Sequence, residues 1–233
     1  MSEVILVVSG RRERQDGLLA AANRLGALTG EGRVRMLGLG SAVLPGAGVA
    51  AELLPAGADV VAEVETRGSR ADFVVVAQPA SDDDRATRDA FRAALLRTER
   101  PVLMVPSSGG SGAFGRRVAI AWRDDARTLK ALVPALRLLS SAEQVHLLAG
   151  VRAGMPTPAI PPVLIEHGVA VTLHVLAIDS SSFGELLLAR ARELGADLLV
   201  IGAYAHGPLP DLLLGGVTRT VLAKADLPVL MRY

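Results

Sequence analysis

The 233-residue sequence contains no cysteine. Disulfides, thiolate zinc sites and cysteine nucleophiles are therefore excluded. Aromatic residues are scarce at 3%, with a single tryptophan, while 50% of the chain is hydrophobic. A core must then be assembled from Val, Leu, Ile and Ala. There is no excess of either charge: 25 basic and 24 acidic residues give a net charge of +1. That balance offers no electrostatic footprint for nucleic acid or an anionic membrane, and neither is an expected partner. No apolar run reaches the roughly 18 uninterrupted residues that a membrane span needs; the Gly- and Pro-broken stretch 41–57 comes nearest. Residues 1–10 have no basic region ahead of their apolar run and no small-residue cleavage site after it. They read as a first β-strand and not as a secretion signal, so the expected location is the cytoplasm. The one short acidic run, Asp82-Asp83-Asp84, reads as a solvated face.

What is present is a repeat. Ala71-Asp72-Phe73-Val74-Val75-Val76 matches Ala196-Asp197-Leu198-Leu199-Val200-Ile201, and Arg100-Pro101-Val102-Leu103-Met104-Val105 matches Leu227-Pro228-Val229-Leu230-Met231-Arg232. Asp72 precedes Pro101 by 29 positions and Asp197 precedes Pro228 by 31. Each half opens on an apolar run, 4–8 and 118–122, and Ser107-Ser108-Gly109-Gly110-Ser111-Gly112 between them has the composition of a linker. The expected organisation is two related domains, 1–106 and 116–233, joined by a linker over 107–115.

Within the second half, hydrophobic periodicity alternates between strand and helix. Strands are expected at 118–122, 145–149, 169–176, 198–202 and 229–231. A helix over 128–139 carries Pro134, which predicts a kink. A Pro-started helix is expected near 162–167. Ser182 and Glu185 form a capping-box pattern for a helix that Gly195 ends. This alternation predicts an α/β fold, a five-stranded parallel doubly wound (Rossmann-like) sheet in each domain. The first half is shorter. After a strand at 33–39, the segment 43–70 has room for one helix plus either a strand or a second helix, so this half is read as degenerate, with one βα element reduced or lost.

The most specific signal is Gly202-Ala203-Tyr204-Ala205-His206-Gly207, followed by residues 208–214 and then Gly215-Gly216-Val217-Thr218. Gly202 ends a buried strand and Gly215-Gly216 precedes a helical run over 217–224. Free backbone N–H groups and a positive helix end then meet at the carboxyl edge of a parallel sheet, an arrangement suited to phosphate. Glycines there let the backbone approach an anion closely and take positive φ.

With its closing helix and strand, 217–230, this pattern resembles the ATP-binding members of the universal stress protein family, strongly over 116–233 and faintly over 1–106. Gly202 and Gly215, 13 positions apart, occupy the first and third glycine places of the family motif. Ala205 stands where its second glycine belongs, and Gly216 where Ser or Thr belongs, with Thr218 a partial substitute. Arg123 stands in Ala121-Trp122-Arg123 where the family commonly has an adenosine-facing Asp. The resemblance implies a stress-response protein with one nucleotide site, for ATP with Mg2+. That site is built from Ala121, Trp122, Arg123, Gly202, Ala203, Ala205, His206, Gly215, Gly216, Val217 and Thr218. It also implies that the two halves pair within the chain as family dimers pair between chains; a further homodimer is left open. Residues 76–101 contain no glycine, and the acidic run would repel phosphate, so the first half is expected to serve only as structural partner. Two other readings stay open: a scaffold that has lost its ligand, and a slow ATPase. No general base is evident, and no residue is singled out as catalytic.

Other signals are weaker. Ser108-Gly109-Gly110-Ser111-Gly112 lacks the Asp-Ser ending of a pyrophosphatase loop, and Gly38-Leu39-Gly40 lacks a third glycine at Val43. His146 and His174 fall within strands and read as scaffold, whereas His167 falls near a helix end. No metal-ligand spacing is evident.

Overall fold

A computed structural model describes residues 3–30, 32–40, 42, 50–55, 57–107, 113–178, 182–203 and 215–233. The chain divides into two compact units, Met1–Ala113 and Phe114–Tyr233. In the first, strands β1 (Glu3–Ser9), β2 (Gly32–Gly38), β3 (Ala50–Leu53), β4 (Phe73–Ala77) and β5 (Val102–Val105) are joined through helices α1 (Arg12–Thr29), α2 (Val60–Gly68) and α3 (Arg85–Arg97). Their order across the sheet is β3-β2-β1-β4-β5, every pair parallel. Among the described residues the segment 43–70 carries one strand and one helix, and no helix joins β2 to β3.

The second unit contains β6 (Arg117–Trp122), α4 (Ala126–Leu139), β7 (Gln144–Val151), α5 (Pro162–Glu166), β8 (Thr172–Ala177), α6 (Phe183–Glu193), β9 (Leu198–Gly202), α7 (Gly216–Lys224) and β10 (Val229–Arg232). The order β10-β9-β6-β7-β8 is again wholly parallel. Strands β4, β5 and β9 are almost wholly buried, while β3 and β8 are largely exposed. This difference follows from a parallel sheet clad by its crossover helices, which cover the middle strands best. The α/β class with alternating strands and helices is as the sequence predicts. Gly168, at φ +66, ends the turn after α5, so β8 begins at Thr172 and not at Val169.

The repeated Ala-Asp pair has a physical cause. Asp72 accepts a 2.7 Å hydrogen bond from the backbone N–H of Val4. Asp197 accepts from Gly115 N–H at 2.7 Å and from Arg116 N–H at 3.1 Å. Each carboxylate therefore holds the start of its unit's first strand, which is the central strand of the sheet. Charge-assisted bonds of this kind are the stronger ones.

Three expectations need correction. Ser182 precedes α6 as predicted, but its side chain makes no capping bond; Glu185 pairs with Lys224 instead, because a cross-helix ammonium outcompetes a neutral local N–H. The acidic run is not wholly solvated: the Asp83 side chain is 2% exposed, beside Arg11 and Arg14. Gly215 has φ −57 and ψ 153, an ordinary extended conformation, so positive φ is not what demands glycine there. Pro134 lies inside α4. It deprives the Lys130 carbonyl of its helical donor, and the Arg232 guanidinium stands 3.5 Å from that oxygen.

His146 on β7 and His174 on β8 meet at 3.2 Å, and Arg190 of α6 lies 3.2 Å from His174 Nδ1. Arginine only donates, so His174 Nδ1 accepts, its Nε2–H donates to His146 Nδ1, and the His146 proton resides on buried Nε2. Burial lowers the pKa of both rings, with the Arg190 charge lowering both further and His146 adding to the effect on His174.

Two predictions follow from these contacts. Asp197→Ala should lower unfolding free energy by about 1–3 kcal/mol in a denaturant titration, and Asp72→Ala should act in the same direction. Because the folded pKa values of the two imidazoles lie below the unfolded one, their neutral forms are favoured in the fold. The associated stability is complete above the ordinary histidine range, near pH 6.5, and is lost as pH falls through the depressed folded values. The thermal midpoint should therefore drop on acidification from pH 7 to 5, and His174→Gln should flatten that slope.

Candidate functional site

In the second unit β6 pairs with β9 on one side and β7 on the other. The chain runs from β6 outward through β7 to β8, then returns to β9 and β10. The strand order therefore reverses between β6 and β9, and crossovers depart to opposite faces, leaving a crevice at the carboxyl ends. A cavity of about 770 Å³ lies there. Its walls are the ends of β6 and β7, the first turn of α6 and most of α7.

Small residues shape it. A Cβ on Gly150 would come within 2.5 Å of Phe183 Cζ, so glycine at the end of β7 lets that ring lie against the strand. A Cβ on Gly184 would fall 2.7 Å from Thr220 Cβ. Glycine inside α6 thus permits its close crossing with α7, and the Glu185–Lys224 ion pair ties the same two helices. Gly216 differs: an added Cβ would meet nothing within 4 Å.

The N-terminus of α7 is the electrostatic centre. Helices α2, α3 and α4 are each capped by an aspartate, Asp59, Asp84 and Asp125, accepting from a first-turn N–H. At α7 the capping position is Gly215, with no side-chain acceptor. Its first-turn donors and positive helix end are presented to the cavity. Four basic side chains line the walls, Arg123, Arg152, Arg219 and Lys224, against one acidic, Glu185. Lys224 is paired with Glu185 and Arg123 with Asp125, whereas among the described residues Arg152 and Arg219 have no ion-pair partner. A chain of near-zero net charge concentrates positive charge in this crevice.

Of the residues singled out from sequence, Ala121, Trp122, Arg123, Gly215, Gly216, Val217 and Thr218 line the cavity. Gly202 and Ala203 are buried behind it at the end of β9, with Ala203 N–H donating to the Arg232 carbonyl at 2.9 Å. Ala205 and His206 lie outside the described residues. Trp122 is 4% exposed, and its indole N–H donates to the Ala159 carbonyl at 3.0 Å, anchoring the segment after β7. Arg123 is 65% exposed and reaches Asp125. Burial alone would raise the Asp125 pKa, but hydrogen bonds from Thr128 and Arg123 outweigh it and hold the carboxyl below its usual range. The guanidinium stands at the rim and does not fill the cavity. Sequence reasoning missed Gly150, Arg152, Phe183 and Lys224. A glycine closing the run at 145–149 and another inside a helix were the available signals.

Gly184→Val should force α6 and α7 apart, costing about 1–3 kcal/mol of stability by denaturant unfolding. Gly216→Ala, facing open space, should leave the midpoint unchanged or slightly raised.

No curated protein sequence is significantly similar to the chain. A universal stress protein from Archaeoglobus fulgidus DSM 4304 superposes with a TM-score of 0.74 at 15% identity, over 100% of this chain and 96% of that one. A putative universal stress protein from Pseudomonas aeruginosa UCBPP-PA14 gives 0.63 at 15% identity, covering 99% and 93%. The cytoplasmic domain of a prokaryotic cation chloride cotransporter gives 0.54 at 15% identity, covering 99% and 95%. At such identities these likenesses establish a shared fold. No helix among the described residues is long and apolar enough to cross a membrane. The model of the universal stress protein family matches residues 73–231, well over half of the sequence, and the chain belongs to that family.

Proposed function

We propose that the second unit binds a nucleotide, ATP foremost, and that the protein acts as a cytoplasmic nucleotide-responsive regulator in the stress response. One observation carries the reading: the uncapped N-terminus of α7 opens onto a cavity of about 770 Å³ at the strand-order reversal, lined by an excess of basic side chains. Phosphates belong at the amides of Gly216 and Val217, where helix polarity favours anions. Arg219 and Arg152 supply charge without first leaving a carboxylate. The apolar side, with Phe183, Ile178 and Trp122, suits the base. A divalent ion would ride on the phosphates, since no three acidic or imidazole ligands meet among the described residues. Glu185, the acidic residue of the lining, is engaged by Lys224, which leaves it poorly placed as a base for hydrolysis.

Titration calorimetry should give one ATP per chain, with AMP weaker and added salt weakening binding. Arg219→Gln should weaken ATP by about tenfold, equivalent to about 1.4 kcal/mol, with less effect on AMP. Gly216→Ser places a hydroxyl in open space beside the first turn and should tighten ATP without loss of stability. Arg123→Asp, by offering acceptors at the rim, should increase preference for adenine over guanine. A folded protein that binds no nucleotide, and carries none in a mass spectrum of the denatured eluate, would overturn the reading.

A further inference from the structure

Three elements of the second unit meet twice. At the crevice wall Gly150 lies near the end of β7, Ile178 follows β8 and Phe183 opens α6. A Cβ on Gly150 would come within 2.5 Å of the Phe183 ring and 2.9 Å of Ile178 Cδ1. Ile178 N–H also donates to the Val151 carbonyl at 2.9 Å, tying the two strand ends together. Four residues earlier along the strands stand His146 and His174, and seven residues later along the helix stands Arg190. Strand residues four apart share a face, and helix residues seven apart lie two turns along one face. The same three elements are therefore joined by an apolar layer at the crevice and by a protonatable layer behind it.

That second layer is a directed chain of hydrogen bonds. Arg190 donates to His174 Nδ1 and His174 Nε2–H donates to His146 Nδ1, each at 3.2 Å. Both acceptor nitrogens are occupied, and His146 Nε2 is buried with no partner among the described residues. A proton enters only by breaking one of the two bonds. On His174 Nδ1 it sets an N–H against a guanidinium that only donates, and two cations face each other. The remaining charges on these elements are engaged elsewhere. On α6, Glu185 pairs with Lys224 and Arg192 with Asp226. Arg117 of β6 turns toward Gly195, past the far end of α6. Neither β7 nor β8 carries another titratable side chain. Glu193 holds Arg190 from the outer side at 2.9 Å and gives the guanidinium a second seat.

We propose that this layer is a proton-operated catch on α6, which regulates the crevice. With both rings neutral, Arg190 holds the helix down and Phe183 stays seated on Gly150. Protonation in mild acid ejects Arg190 toward Glu193, slackens α6 against β7 and β8, and loosens the wall. Leu187, Leu188 and Ala191 remain buried, so the helix loosens without detaching. The consequence for ligand rests on the nucleotide reading: affinity for ATP falls in acid. An added positive charge alone would draw an anion closer, so a fall marks the mechanical route.

The test follows amide hydrogen exchange over residues 186–193 of the full chain without nucleotide, at about pH 7 and about pH 5, either side of the ordinary histidine pKa. Rates are corrected for the pH dependence of intrinsic exchange. Protection should fall by about tenfold on acidification, while α4 of the same unit is unchanged. His174→Gln keeps an acceptor for Arg190 and a donor for His146 without titrating, and should hold its protection. Arg190→Gln should do the same, since an amide donates to a neutral ring and accepts from a protonated one. Equal wild-type protection at the two pH values overturns the proposal. So does an equal fall in both variants, or an equal loss in α4, which is general acid unfolding. Should His174→Gln fail to fold, Arg190→Gln decides alone. Calorimetry adds the ligand: ATP affinity should fall about fivefold more in wild type than in Arg190→Gln, the titration of ATP itself being common to both. No difference, or a gain, overturns the coupling. If ATP binds at neither pH, the site reading fails, and the exchange result still decides the catch.

Discussion

The first-turn amides of an α-helix have no partner within the helix, and each helix that starts at the carboxyl edge of a parallel sheet must find acceptors for them elsewhere. Most of this protein's local chemistry follows from how that demand is met. Asp59, Asp84 and Asp125 answer it for three helices with a side chain of the chain's own. At α7 the position is Gly215, which has no acceptor to offer. The demand is passed to whatever enters the crevice, and the surrounding arginines reinforce it. A binding site here is largely a capping requirement left open at a helix end that lines the cavity.

The same comparison shows how one architecture carries different polar interiors. By register, Arg35 and Glu52 of the first unit occupy the places of His146 and His174 in the second. Arg67 holds Glu52 with two bonds of 2.7 and 2.8 Å, much as Arg190 meets His174. A helix-borne arginine over the outer strands is kept in both units, while its partner changes from a carboxylate to an imidazole pair. The imidazole pair, with its lowered pKa values, makes the second arrangement sensitive to mild acid. The Asp72 and Asp197 pins, by contrast, serve the backbone of a central strand through charge-assisted bonds.

Much of this was legible in the sequence because it is local. Apolar runs such as 73–76 and 198–201 announce buried parallel strands, and the glycines at 215 and 216 mark a strand-to-helix turn at the sheet edge. What escaped is what tertiary contact decides. Ser182 and Glu185 have capping-box spacing, but Lys224, 39 positions beyond Glu185, claims the carboxylate. Three consecutive aspartates look solvated until Arg11 and Arg14 arrive from 70 positions upstream to bury the middle one. Gly150 and Phe183 are unremarkable apart and become one wall of a cavity only when β7 and α6 are brought together.

The single tryptophan of the chain stands in that wall. Trp122 is almost wholly enclosed, oriented by its bond to Ala159 and adjacent to the cavity. With no second indole to mix its signal, ultraviolet emission near 300 nm excitation arises, on the order of its whole intensity, from one ring at one place. Entry of a polar or stacking molecule alters the dielectric and the quenching around that ring directly. The scarcity of aromatic residues, which first restricted how the core could be built, thus leaves the protein with an intrinsic optical gauge seated at its own crevice.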